Sequence, residues 1–107
     1  MVAVIVPTLL TDTPRISAGI QRAVQPFAGD VVHAYYETGF DWMGFASIFF
    51  KIVVSDQASR PQRLRDLSQR VALALMNELG TDENGVHAYF NFRSQSEAAR
   101  MNDPAWA

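Results

Sequence analysis

A chain of 107 residues, 49% apolar and 19% charged, suffices for one hydrophobic core and not for two, so a single domain over 1–107 is expected. Nine Lys and Arg against eleven Asp and Glu leave a net charge of −2. That supplies none of the clustered positive charge that nucleic acid or an acidic membrane surface calls for, and neither is expected as a partner. The absence of cysteine excludes disulfides, thiolate nucleophiles and cysteine-ligated zinc, and a cytoplasmic location is expected.

Residues 2–6 form an apolar, β-branched run closed by Pro7. They read as a buried strand, without the basic leader of a signal peptide and too short to span a bilayer. Thr13 followed by Pro14 predicts an N-cap and first helical position, and Ile16, Ile20, Val24 and Phe27 make one apolar stripe, so a helix is expected over about 14–28 with Gly29 as its left-handed C-cap. Residues 31–37 are β-branched and aromatic and predict a second strand, and 37–44, with two glycines, a turn. In 45–54 the even positions Ala46, Ile48, Phe50, Ile52 and Val54 are all apolar, which predicts a third strand with one dry face. Ser59-Arg60-Pro61-Gln62 fits a capping box. Leu64, Leu67, Val71, Leu75 and Leu79 follow at helical spacing, and Gly80 is placed to close that second helix. After a loop over 81–85, residues 86–93 alternate as a fourth strand, and a short helical turn is expected near 97–101.

The order β-α-β, connector, β-α-β suggests a duplication, with repeat one at about 2–38, repeat two at about 45–92 and a tail over 93–107. Matching identities fall in the same order: Pro14 with Pro61, Gln21-Arg22 with Gln69-Arg70, and Val32-His33-Ala34-Tyr35 with Val86-His87-Ala88-Tyr89. The expected fold is therefore α+β, a four-stranded mixed sheet with both helices on one face. The other face would present His33, Tyr35, His87 and Tyr89, with Phe45 and Phe49 able to join them. So aromatic an uncovered face calls for partners, and self-association is expected.

On these features the chain resembles the tautomerase superfamily. Residues 50–92 are similar to the unit of the 4-oxalocrotonate tautomerase branch. The opening Val2-Ala3-Val4-Ile5-Val6-Pro7-Thr8, the last strand and the tail ending Trp106-Ala107 resemble the macrophage migration inhibitory factor branch. The resemblance implies a homotrimer and a base formed by an amino-terminal proline that moves protons on enol or keto acids. This chain carries Val2 in that place, so the implied catalytic amine is that of Met1, or of Val2 once Met1 is removed. An α-amino group, with a reference pKa of about 7.7–8.0, can still serve as a base near neutrality. By the same resemblance Arg60 and Arg63 fall close to the family's substrate-binding arginines, and His87 and Tyr89 near positions lining the pocket.

Two functions follow as expectations. One is keto-enol tautomerase or isomerase chemistry on a small carboxylate such as a 2-keto acid. The other is a non-catalytic trimeric binding or scaffold protein of the same fold. His33 and His87 make no recognised ligand spacing, and no metal and no cofactor are expected. Arg65 and Arg70 read as a solvated helix face, whereas Arg60 and Arg63, in the first turn, suit a carboxylate. Residues 43–50 partly mimic an RNA-recognition strand, but the basic leader is missing and Ser47 stands where an aromatic is needed.

Overall fold

The structure, a computed structural model, describes residues 7–101. The expected first strand at 2–6, the amine of Met1 or Val2, and Trp106 with Ala107 lie outside the described residues. A 3-10 turn, Thr8–Thr11, buries Leu9 and Leu10 and leads into α1, Thr13–Val24. The cap of α1 is Asp12 rather than Thr13: its carboxylate accepts the Arg15 N–H at 3.2 Å, and Thr13 is already helical. The helix stops at Val24, short of the expected 28, because Pro26 has no N–H to extend the ladder and residues Gln25–Phe27 tighten into a 3-10 turn. Gly29 makes no left-handed cap: the described glycines with positive φ are Gly44, Gly80 and Gly85.

The second helix, α2, spans Pro61–Leu79 and ends on Gly80 at φ 61°, as the sequence predicts. Its expected capping box does not form. Arg60 takes the N-cap position, extended because it precedes proline, and the Ser59 hydroxyl turns back to donate to the Asp56 carbonyl at 2.7 Å. A third helix, α3, Gln95–Met101, closes the described chain. Its first turn is held by Asp56, whose carboxylate accepts both the Ser96 N–H and the Ser96 hydroxyl.

The sheet has three described strands in the order β1 (Val31–Phe40), β2 (Ala46–Val54) and β3 (His87–Ser94), with β1 antiparallel and β3 parallel to β2. The fold is thus α+β with a mixed sheet. β1 runs three residues beyond its expected end at 37, so the reversal is confined to the short segment 41–45. The register gives two faces. Ala34, Tyr36, Ile48, Phe50, Ile52, Val54, Ala88, Phe90 and Phe92 share the face toward α1 and α2, where Phe50 and Phe90 stack at 5.1 Å. His33, Tyr35, Glu37, Phe49, Lys51, Tyr89 and Asn91 share the opposite face. The core joins the first face to Ile16, Ile20, Leu67, Val71, Leu75 and Leu79 of the helices, so both helices lie on one side.

Around this core, ion pairs tie element to element: Arg22 to Glu78 between the helices at 3.0 Å, and Arg63 to Asp30 between α2 and the entry to β1 at 2.9 Å. Arg70, on the exposed face of α2, lies over the Phe27 ring at 5.5 Å.

The two helices meet closely at Gly19, where an added Cβ would stand 2.5 Å from Leu79 Cδ2. Leu79 is fully buried, so a side chain at position 19 must displace it within the core. Gly19→Leu is therefore expected to cost about 1–3 kcal/mol by overpacking, read from urea unfolding. In a Leu79→Ala background that cost should shrink; an equal cost in both backgrounds would contradict the contact.

Candidate functional site

The hairpin between β1 and β2 is organised by one carboxylate. Asp41 directly follows β1, and its Oδ1 accepts the N–H of Met43 and of Phe45, each at 2.9 Å. Its own N–H donates to the Phe45 carbonyl at 2.9 Å, and Gly44 completes the turn at φ 84°. Aspartate suits this position because its short side chain reaches the N–H groups two and four residues ahead. The other oxygen, Oδ2, accepts the Tyr89 hydroxyl of β3 at 2.7 Å and lies 3.7 Å from His87 Nδ1, beyond hydrogen-bond reach. The carboxyl side chain is 1% exposed.

These contacts set the charge states. Burial pushes the Asp41 carboxyl up. The hydrogen bonds from Tyr89, Phe45 and Met43, with His87 nearby, outweigh it and hold the group below its ordinary value of 3.8. Tyr89 moves the other way: donating to Asp41, burial and the adjacent negative charge all raise its phenol above 10.0. Tyr89 is thus a hydrogen-bond donor locked in its neutral form, not a phenolate base.

Rings gather around this carboxylate. Phe49 stacks on Tyr89 at 5.3 Å, Trp42 packs against Tyr89 at 5.4 Å, and Phe45 stacks on His87 at 4.7 Å. On the open face beside them Phe49, Lys51, Tyr89 and Asn91 border a shallow depression of about 270 Å³, and Lys51 is paired with Glu37 at 3.2 Å. Ser47 and His87 are register partners, and Asp41 lies close to His87, so serine, histidine and aspartate share this end of the sheet. They do not form a nucleophilic relay: Ser47 is fully buried and its hydroxyl donates to the Phe45 carbonyl at 2.8 Å.

Of the residues expected to act, His87 and Tyr89 come together here. Arg60 and Arg63 do not join them. They follow the far end of β2, and the seven residue steps from Ser47 to Val54 separate the two ends by about 23 Å. Arg63 is engaged with Asp30, and Arg60 is exposed. His33 lies on the open face stacked on Tyr35 at 5.6 Å. Among the described residues no cluster of His, Asp and Glu is arranged to hold a metal, and no helix is long and apolar enough to cross a membrane. Asp41 and Trp42 are central to the site, whereas in the sequence they stand out only as part of a turn. An aspartate between a strand and a glycine does signal a side-chain-stabilised turn. Its bond to Tyr89 48 positions away leaves no local trace. No protein-family model matches this chain, and no curated protein matches it in sequence.

Because folded Asp41 titrates below its ordinary value, its contribution to stability is complete above that value and is lost as pH falls through the lowered one. Urea midpoints followed from pH 7 to pH 2 should therefore drop less steeply at the acid end for Asp41→Asn than for the native chain. Tyr89→Phe should move the Asp41 carboxyl resonance to a higher titration midpoint by NMR. An unchanged acid slope in Asp41→Asn would show that the carboxylate is not held this way.

Proposed function

We propose that this chain is a binding domain whose working surface is the aromatic hairpin end, and that this end receives an uncharged, apolar protein segment. One observation carries the reading. Trp42, Met43 and Phe45 are 80%, 68% and 47% exposed, and with Phe40, 51% exposed on the other side of the hairpin, they make up four of the seven exposed large hydrophobics among the described residues. Such a concentration is a mark of an interaction site, and tryptophan is the side chain most enriched where binding energy concentrates. The hydrogen bonds of Asp41 fix the loop in advance, which lowers the entropy lost on binding. From 38 to 49 the sole charged residue is Asp41, buried beneath the rings, so the surface suits apolar partners rather than phosphates or anionic headgroups. Peptide display against the native chain should enrich uncharged aromatic and aliphatic sequences. Those peptides should bind Trp42→Ala at least about tenfold more weakly. Peptides that bind both proteins equally would refute the reading.

A second reading, proton transfer of the tautomerase kind on a small carboxylate, is favoured by the juxtaposition of His87 and Tyr89 with Asp41. It brings with it the amine of Met1 or Val2, a fourth strand from residues 2–6 and a homotrimer. His87, half exposed with its Nδ1 turned toward Asp41, is the group of this site able to accept a proton. Enol-keto exchange of phenylpyruvate separates the readings when native chain, amino-terminally acetylated chain and His87→Gln are compared. Loss of rate on acetylation or in His87→Gln supports catalysis; rates no faster than buffer in all three leave the binding domain.

A further inference from the structure

The outer edge of β1 is unpaired among the described residues, since β2 occupies its other side. β1 contains neither proline nor lysine, two residues that blunt exposed edges against pairing. Its one irregularity falls between Val31 and His33 and leaves 33–40 regular. Beside this edge α1 stands away from the sheet, and a cleft of about 560 Å³ opens there, its lining mixed: Ile20, Val24 and Ala34 beside Gln21, Gln25 and His33. An added strand would satisfy the backbone edge and cover the mouth of this cleft at once.

The fold restricts what can fill it. β1 runs opposite to β2, and both helices lie on one face. A strand preceding α1 and parallel to β1 would reach the outer edge only by a left-handed crossover, found in about 2% of such units. The edge is thus poorly suited to a parallel strand from before α1, and a strand from another molecule is the favoured occupant.

We infer that a second copy pairs there, β1 against β1, antiparallel about a two-fold axis at Tyr35. In a continuous sheet opposed residues must share a face, so the axis falls on a residue of the strand. At Glu37 it would oppose two carboxylates. At Tyr36 it would set Glu37 against a tyrosine. At Tyr35 it sets His33 opposite Glu37 of the partner subunit, twice by symmetry, and Ala34 opposite Tyr36 of the partner subunit, a large ring beside a small residue beneath the cleft. His33 is exposed, and Glu37 keeps 65% of its side chain exposed while bound to Lys51, so both can be reached by a partner. The two hairpin ends then point away from each other, and the pairing is independent of the binding surface proposed above.

The chain has no cysteine, so single cysteines report the register directly. Light scattering on the eluting native chain at micromolar concentration should give the mass of a dimer. Under mild oxidation Tyr35→Cys should form a covalent dimer. Glu37→Cys, on the same face, should not, because in this register the two sulfurs lie on strands offset by about 14 Å. His33→Glu, which opposes Glu37 of the partner subunit with a like charge at two places, should weaken the dimer roughly tenfold. Circular dichroism of each variant confirms that it is folded. A monomer or trimer by mass, absence of the bridge at 35, or equal bridging at 37 would each overturn the inference.

Discussion

β2 is the constraint on which the rest depends. It is the described strand paired on both edges, antiparallel to β1 and parallel to β3, and its alternation assigns every cross-strand row to one face or the other. Its even residues Ile48, Phe50, Ile52 and Val54 are all buried and commit one face to α1 and α2. The odd face, including Phe49 and Lys51, falls opposite them without a further choice. A slip of one residue would exchange the faces, bring Lys51 into the core and expose Phe50. The dry face is therefore what leaves the aromatic and polar set on the face away from the helices.

The parallel pairing of β2 with β3 has a second consequence. It places the start of β3 beside the start of β2, so His87 and Tyr89 arrive next to the hairpin while the arginines at the start of α2 are carried to the opposite end. The hairpin end then gains a carboxylate held in place by two backbone N–H groups and a phenol. Such a group is stable as an anion even out of solvent, because its donors compensate the lost water. The same donors make it a poor proton acceptor. Asp41 is better understood as the fixed post around which Trp42, Phe45, Tyr89 and His87 are arranged.

Much of the fold was legible from the spacing of apolar side chains. The second helix, its glycine cap, β2 and β3 all follow from one-dimensional patterns, because a buried stripe at helical spacing or an alternating run has few other ways to hide its surface. The structure departs from these patterns at boundaries where local signals compete. Asp12 and Thr13 are both good caps, and Pro26 stopped α1 before Gly29 was reached. Ser59 donates its hydroxyl to the nearby Asp56 carbonyl instead of accepting an N–H of the first helical turn. β1 continued through Thr38 and Gly39 because β2 offered Ile48 and Ser47 to pair with, a partner invisible to propensity.

The α+β class, one core, the helix-facing sides of the described strands and the aromatic character of the opposite face are all written in composition and period. Tertiary structure alone decided that the strands at 31–40 and 46–54 pair directly, that Asp41 meets Tyr89 across 48 positions, and that Arg60 and Arg63 lie away from His87 and Tyr89. The physical reason is common to all three. Periodicity reports which side of an element seeks burial, but strand neighbours and polar partners are chosen by contacts between segments far apart in the chain, and those leave no local signature.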